Sequence, residues 1–242
     1  MTETFALLSA VALTFSSAVM VATVAVGFGD STALRLRIAA GLAAWFVVVV
    51  ILAATRVLHY SSALGVAANI GLGVAVVLPV VVLCLIVMRS ARLRRMLETV
   101  PLSLLIGVNF IRVLGVLFLM LYASGQLPAP FAPSAGWGDI IAGVAAVPVA
   151  WLAQRWEHDA RPIILVWNIF GIADLFNAIG MGVASSPGPL QVFGGVPGAA
   201  MMSTLPWLLI PAFLVPLLIC THLAVFWRLL RAGRSARGMQ MA

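Results

Sequence analysis

Seven long apolar runs constrain most strongly what this chain can fold into. A helix needs about 20 apolar residues to cross a bilayer core of roughly 30 Å. Closed β-barrels are the other structure that can span a membrane. Their strands alternate apolar and polar residues over roughly ten positions, whereas runs such as 45–54 are continuously apolar. The sequence therefore predicts an all-α, polytopic membrane protein, a bundle of seven transmembrane helices in one domain, 1–242. The predicted spans are 4–28, 37–57, 62–88, 100–123, 137–154, 162–183 and 204–227, and a short basic tail follows at 228–242.

The composition indicates that lipid is the solvent of this fold. Hydrophobic residues make up 63% of the chain and charged residues only 9%, whereas a soluble domain carries about 25% charged residues. So few charges could not cover the surface of a water-soluble globule of this size. We therefore expect the bilayer to be the main partner of the chain.

Arginine supplies all of the basic charge and predicts the orientation of the spans. The chain has 14 basic residues, and every one of them is arginine. Seven crossings place the segments after the first, third, fifth and seventh spans on one side. Those segments contain twelve arginines: Arg35, Arg37, Arg89, Arg92, Arg94, Arg95, Arg155, Arg161, Arg228, Arg231, Arg234 and Arg237. Only Arg56 falls on the other side. The positive-inside rule then predicts a cytoplasmic C-terminus, an external N-terminus and a location in the inner or plasma membrane.

The same arginines favour one class of partner over another. A net charge of +7 would suggest nucleic acid in a soluble protein, but arginines at span ends instead favour anionic lipid headgroups. We therefore expect no nucleic-acid partner. An oligomer is compatible with the sequence.

Cofactor chemistry finds little support in the residues. Without a lysine, the chain cannot form a Schiff base to retinal. His59, His158 and His222 lie at different predicted depths, whereas a bis-histidine haem or a zinc site needs its ligands together. We therefore predict no cofactor and do not favour haem. His222, within the seventh predicted span, is a weak metal candidate, and a hydrogen-bonded interior residue is its favoured role.

Two ionisable residues near the bilayer centre carry the strongest functional indication. Arg112 lies halfway along the fourth predicted span and Asp174 halfway along the sixth. A charge at this depth costs about 2.5–3.5 kcal/mol on insertion scales and normally faces a partner inside the protein. Both spans run in the same direction, so their midpoints lie at similar depth. We predict that Arg112 and Asp174 form a salt bridge, directly or through one water or ligand.

Further polar residues flank this pair. Asn109 lies one turn before Arg112, and Asn177 lies one turn after Asp174. Asn168 belongs to the same three-residue series, but this series drifts around the helix, so Asn168 and Asn177 cannot both face one point. Asp139, at the predicted start of the fifth span, is favoured as a helix cap, and membership of the polar cluster is the alternative.

The outer loops 125–136 and 185–203 carry no charge and combine proline and glycine with apolar residues. Solvated loops are usually polar, so two interpretations remain open. The loops are ordered flaps over the helix ends, or they are simple connectors.

The favoured function is binding or translocation of a small molecule or ion through the cluster Arg112, Asp174, Asn109, Asn168, Asn177 and Asp139. The competing structural role is interhelical hydrogen bonding that fixes packing. Two other functions stay open. One is a membrane-embedded enzyme or haem-dependent redox protein that uses His222, although no catalytic motif supports an enzyme. The other is a scaffold or sensor subunit without catalytic activity.

Overall fold

The fold is described from a computed structural model covering residues 3–59, 65–193 and 198–240, with side chains described except at 65–69 and 232–240. These residues form helices joined by turns, and no strand occurs among them. The α-helices are α1 (Glu3–Phe28), α2 (Thr32–Ala54), α3 (Gly65–Arg89), α4 (Ala91–Thr99), α5 (Leu102–Gly107), α6 (Val116–Ala123), α7 (Phe131–Arg155), α8 (Arg161–Ser185) and α9 (Val215–Gln240).

Among the described residues, seven helical segments are long and apolar enough to cross a membrane, which confirms the predicted all-α fold with seven potential membrane spans. Two of these spans contain irregular turns. The fourth span consists of α5, a 3₁₀ segment at Val108–Gly115 and α6. The seventh begins with a π-helical turn at Ile210–Leu214 and continues into α9.

Several helix ends differ from the predicted ones. The fifth span begins at Phe131 rather than 137, because proline is tolerated in a first helical turn and Pro133 therefore does not delay the helix. The seventh span begins at Ile210 rather than 204, because residues 204–208 form a bend and turns between the 3₁₀ turn Ala199–Ser203 and the span. Helix α9 also continues through most of the predicted tail. Residues 62–64 of the third predicted span lie outside the described residues.

Helix α4 was not predicted. Ser90 caps it by accepting a hydrogen bond from the Leu93 amide at 3.2 Å, and the side chains of Met96 and Leu97 are buried on one face. Three of its other positions are arginine, Arg92, Arg94 and Arg95, so α4 has the pattern of a helix that lies along a membrane surface rather than across it.

The spans divide into an inner and an outer group. In the most apolar stretch of the seventh span 67% of the residues are buried, and in the fourth span 50% are. The corresponding fractions are 17% for α2 and 6% for α3. Helix α7 packs against the fourth span and α8, and α8 packs against α9. The buried ionisable residues Arg112, Asp174 and His222 belong to the inner group, and α2 and α3 leave most of their surface exposed on the outside of the bundle.

The arginine-rich segments meet at one end of the molecule, as predicted. Three ion pairs among the described side chains join them: Asp30 with Arg92 at 2.5 Å, Glu157 with Arg228 at 3.5 Å, and Glu98 with Arg231. These pairs connect the α1–α2 turn, α4, the α7–α8 turn and α9. We call this region the arginine-rich end.

The Asp30–Arg92 pair yields a pH prediction. The hydrogen bond from Arg92 lowers the pKa of Asp30 below its ordinary value of 3.8. Stability from a carboxylate with a lowered pKa is fully present above its unfolded pKa and is lost as the pH falls through the folded value. We therefore expect Asp30→Asn to lower the unfolding temperature by a small amount that is the same at every pH from 5 to 8. The difference from the parent should shrink only below about pH 4. Thermal unfolding across this range, with exposed Asp159→Asn as the control, measures it.

Candidate functional site

A 3₁₀ segment in the middle of the fourth span positions Arg112. The side-chain amide of Asn109 donates to the carbonyl of Leu105 at 2.9 Å, and such side-chain bonds compete with regular helical hydrogen bonding. The tighter 3₁₀ winding covers Val108–Gly115. Within it, the side chain of Arg112 is fully buried. A 3₁₀ stretch inside a helix often marks a functional hinge or a strained sequence.

Arg112 binds two carboxylates on two other spans. Its Nε donates to Asp139 Oδ1 on α7 at 2.7 Å, and its Nη2 donates to Asp174 Oδ2 on α8 at 2.5 Å. Both carboxylates are almost entirely buried. The predicted Arg112–Asp174 salt bridge is therefore confirmed, and the contact is direct.

The remaining guanidinium nitrogen reaches α8 and α9. Arg112 Nη1 donates to the carbonyl of Gly171 at 3.0 Å and lies 3.2 Å from His222 Nε2. Because a guanidinium can only donate, His222 Nε2 must accept, which places the ring proton on Nδ1. That nitrogen lies 2.8 Å from Asn168 Oδ1. His222 is therefore a neutral acceptor for Arg112, and one arginine joins four spans.

Asn168 fixes the orientation of the imidazole. Besides accepting from His222 Nδ1, its amide nitrogen donates to the His222 carbonyl at 3.1 Å. The indole of Trp167 lies against the ring with 5.1 Å between centroids and donates to the Ala142 carbonyl at 3.0 Å. We call Arg112, Asp139, Asp174, Asn168 and His222 the charged cluster.

Asn109 forms a second polar contact next to the charged cluster. Its amide nitrogen lies 3.3 Å from Thr221 Oγ1 on α9. Its oxygen, Oδ1, is buried and has no hydrogen-bond partner in the part of the chain that the structure describes. Buried polar atoms are normally satisfied, so this oxygen is a free acceptor.

The capping role favoured for Asp139 is wrong. Helix α7 begins at Phe131, with Pro130 at the cap position, so Asp139 lies two turns inside the helix. The weaker alternative, membership of the polar cluster, is what the structure shows.

Asn177 does not join the charged cluster. It is exposed on α8, whereas Asn168 on the same helix is fully buried. The drift of the three-residue series allowed only one of them to face the cluster, and that one is Asn168. His222 is the partner that the sequence argument placed in the interior but did not connect with Arg112.

Glycines make this close approach of four spans possible. A β-carbon at Gly138 would lie 1.6 Å from Asp174 Oδ1, and one at Gly171 would lie 2.4 Å from His222 Cε1. At Gly115 it would lie 2.6 Å from the Gly136 carbonyl oxygen. Real side-chain contacts are never this short, so these positions exclude larger residues. Small residues beside the charged ones were the sequence signal that could have indicated the packing.

The two outer loops have different structures. In the first, Leu127 and Phe131 are buried, and 131–136 is helical. In the second, Leu190 and Val192 are exposed by 65% and 73%, and residues 194–197 lie outside the described residues. The first loop therefore packs into the protein, and the second presents apolar side chains on its surface.

Metal ligation would require His222 to give up a protein contact. Both of its ring nitrogens lie within hydrogen-bond distance of other side chains. Among the described residues, no group of three or more His, Cys, Asp or Glu side chains is arranged to hold a metal ion.

One comparison with known proteins gives a match. The family described as "Domain of unknown function (DUF8737)" matches residues 69–230, about two thirds of the chain. The matched region holds the third to seventh spans and all of the charged cluster. No curated protein and no solved structure matches the chain.

Proposed function

Since the chain belongs to the DUF8737 family, whose description states no function, we propose a function from the geometry: the protein binds a small ion or small molecule at the charged cluster and moves it across the membrane. The favoured solute is a proton or a small monovalent cation. One observation carries the proposal, namely that a single buried guanidinium faces two buried carboxylates.

The charge balance of the cluster supports a cationic solute. Arg112 contributes one positive charge, Asp139 and Asp174 contribute two negative charges when ionised, and His222 is neutral in its hydrogen-bonding role. The ionised cluster thus has one uncompensated negative charge in a medium of low dielectric constant. Uncompensated buried charge is costly, and a bound proton or cation would neutralise it. Ionisable residues within membrane spans commonly form proton and ion pathways.

The breaks in helical geometry support movement around the cluster. The 3₁₀ segment carries Arg112 itself, and the π-helical turn at Ile210–Leu214 precedes the helix that carries His222. Transporters often bind their solutes where membrane helices are interrupted near the midplane. Two of the four spans that meet at Arg112 have such an interruption.

Asn109 supports a polar or hydrated site. Its free acceptor oxygen is buried, and its amide nitrogen contacts Thr221 of the seventh span. A water molecule or a solute that donates a hydrogen bond would satisfy it.

We place the arginine-rich end in the cytoplasm, which puts the N-terminus outside, in an inner or plasma membrane. The argument is the positive-inside rule applied to twelve arginines on one side against Arg56 on the other. The charged cluster then lies between the two aqueous phases.

The test is ion flux into proteoliposomes. We expect vesicles that contain the parent protein to acidify an internal pH-sensitive dye, or to take up Na⁺, faster than empty vesicles under an imposed potential. Asp139→Asn and Asp174→Asn each remove one carboxylate charge with little change of shape, and we expect each to lower flux at least about tenfold, as for loss of a positioned proton-transfer group.

Asn177→Ala is the matched control, because Asn177 is a polar residue of α8 that faces away from the cluster. It should leave flux unchanged. Parent vesicles that pass neither H⁺ nor Na⁺ faster than empty ones would contradict the cation proposal. Equal flux in the parent and in both aspartate variants would contradict the assignment of the site.

A further inference from the structure

A large apolar cavity lies at the arginine-rich end, separate from the charged cluster. Its volume is about 880 Å³, and α1, α2, α3, α4, the fourth span and α9 form its walls. Binding pockets for small molecules commonly have volumes of about 300–1,000 Å³. The cavity is therefore large enough for an organic ligand, and its walls select for an apolar one.

We infer that the cavity opens to the surrounding lipid between α2 and α3, which both line it. These helices follow one another along the chain, yet within their described parts they make little contact with each other. One wall carries Leu42 and Trp45 of α2, and the facing wall carries Leu78 and Val82 of α3. A membrane lipid could therefore enter sideways, without crossing an aqueous phase.

The depth of the cavity matches one leaflet. The wall formed by α3 extends from Leu78 to Met88, which corresponds to about 15 Å at the rise of an α-helix. One leaflet supplies half of the roughly 30 Å of hydrocarbon in a bilayer. Acyl chains of the leaflet at the arginine-rich end would therefore lie along the wall over its whole length.

Two cationic side chains mark the polar end of the cavity. Arg37 of α2 and Arg94 of α4 belong to its lining, and none of the described lining residues is Asp or Glu. The side chain of Arg37 makes no hydrogen bond or ion pair with the described residues. The side chain of Arg94 donates only to the Met88 carbonyl among them. By contrast, Arg92 on the same helix is neutralised by Asp30. The polar end of the cavity therefore carries two positive charges that a phosphate could compensate.

From the apolar walls, the opening to lipid and the two arginines, we propose that this cavity is a binding site for an anionic phospholipid, with its acyl chains along α2 and α3 and its phosphate at Arg37 and Arg94. The site goes beyond the proposed transport function, and its occupancy is measurable without transport. It differs from general attraction of headgroups to a basic surface because it requires the cavity as well as the charge.

The test is lipid retention by the delipidated protein in detergent, followed by native mass spectrometry. Equal amounts of phosphatidylglycerol and phosphatidylcholine with the same acyl chains are offered. We expect the parent to bind one phosphatidylglycerol in preference to phosphatidylcholine. Arg37→Gln combined with Arg94→Gln should weaken phosphatidylglycerol binding by about tenfold. Arg89→Gln combined with Arg95→Gln removes the same charge from exposed positions outside the lining and should leave this preference unchanged.

A second pair of variants tests the cavity itself. Gly41 lines the cavity, and a β-carbon there meets no atom within 4 Å, so Gly41→Leu places apolar bulk in the space for the acyl chains. Gly73 on α3 has equally open surroundings but does not line the cavity, so Gly73→Leu is the matched control. We expect Gly41→Leu to abolish the retained phosphatidylglycerol and Gly73→Leu to keep it.

Three results would overturn the proposal. Equal binding of both lipids would contradict the recognition of an anionic headgroup. Full phosphatidylglycerol binding by Gly41→Leu would contradict the assignment of the acyl chains to the cavity. A dimer that keeps no lipid would show that a second copy covers this face. A variant that loses ion flux but still retains phosphatidylglycerol would bear on the charged cluster and would not contradict the lipid site.

Discussion

Replacing Arg112 by glutamine should lower the free energy of unfolding by about 3–5 kcal/mol, the range observed when one partner of a buried ion pair is removed. Two carboxylates would then remain in the protein interior without their counter-charge. The change also removes the hydrogen bonds to Gly171 and His222, so contacts with three other spans are lost together. Equilibrium unfolding in mixed detergent micelles measures the effect. Arg89→Gln, at an exposed end of α3, is the control and should be neutral within about 0.5 kcal/mol.

The three charges of the cluster should be strongly coupled. In a variant that combines Arg112→Gln with Asp139→Asn and Asp174→Asn, no buried charge remains to be stabilised. We therefore expect this triple variant to be more stable than Arg112→Gln alone, since replacing all members of a buried ion cluster by neutral groups is often tolerated. Additive losses in the triple variant would contradict the electrostatic explanation.

The same variants separate transport from packing. If the cluster serves ion movement, the triple variant regains stability but remains inactive in the flux assay. If the cluster only holds the helices together, the triple variant can be as stable as the parent, and neither protein passes ions faster than empty vesicles do. Stability and flux must therefore be measured on the same preparations.

Hydropathy and charge were sufficient to predict the general architecture. Apolar runs of about twenty residues commonly form transmembrane helices in lipid. The segments that contain Arg35, Arg92 and Arg228 share an end because an even number of crossings separates them. The Arg112–Asp174 pair was also predictable, because two opposite charges at one depth in a small bundle have few other partners. These predictions rest on two large and general effects, the preference of apolar residues for lipid and the cost of an unpaired charge in the membrane.

The finer features of the site depend on packing that a pattern does not encode. The true start of α7 depends on Pro133 being accepted in the first turn, and this shift of one and a half turns moved Asp139 from a predicted cap into the cluster. The 3₁₀ winding around Arg112 arises within an apolar sequence that is equally compatible with α-helix. His222 lies in a span whose start depends on an irregular turn, so its depth relative to Arg112 could not be calculated from the sequence.

Gly138→Ala should lower stability by about 3 kcal/mol, although it adds only one methyl group. The three atoms nearest to the new β-carbon all belong to the carboxylate of Asp174, and the shortest distance is 1.6 Å. The carboxylate would have to leave Arg112, so we expect a loss at the lower end of the range for a broken buried pair. Ion flux should fall with it. Gly180→Ala on α8 is the matched control: its surroundings are open, and alanine there favours helix by up to about 1 kcal/mol.

A double-mutant cycle identifies the cause of the Gly138→Ala effect. In an Asp174→Ala background the clashing carboxylate is absent, while Arg112 keeps its ion pair with Asp139. Gly138→Ala should then have little effect, and the cycle should give a coupling energy of about 2–3 kcal/mol, at the upper end of what contacting residues show. An equal loss in both backgrounds would mean that the methyl group meets other parts of α8. In that case the glycine would serve helix packing in general, and the position of the Asp174 carboxylate would not depend on it.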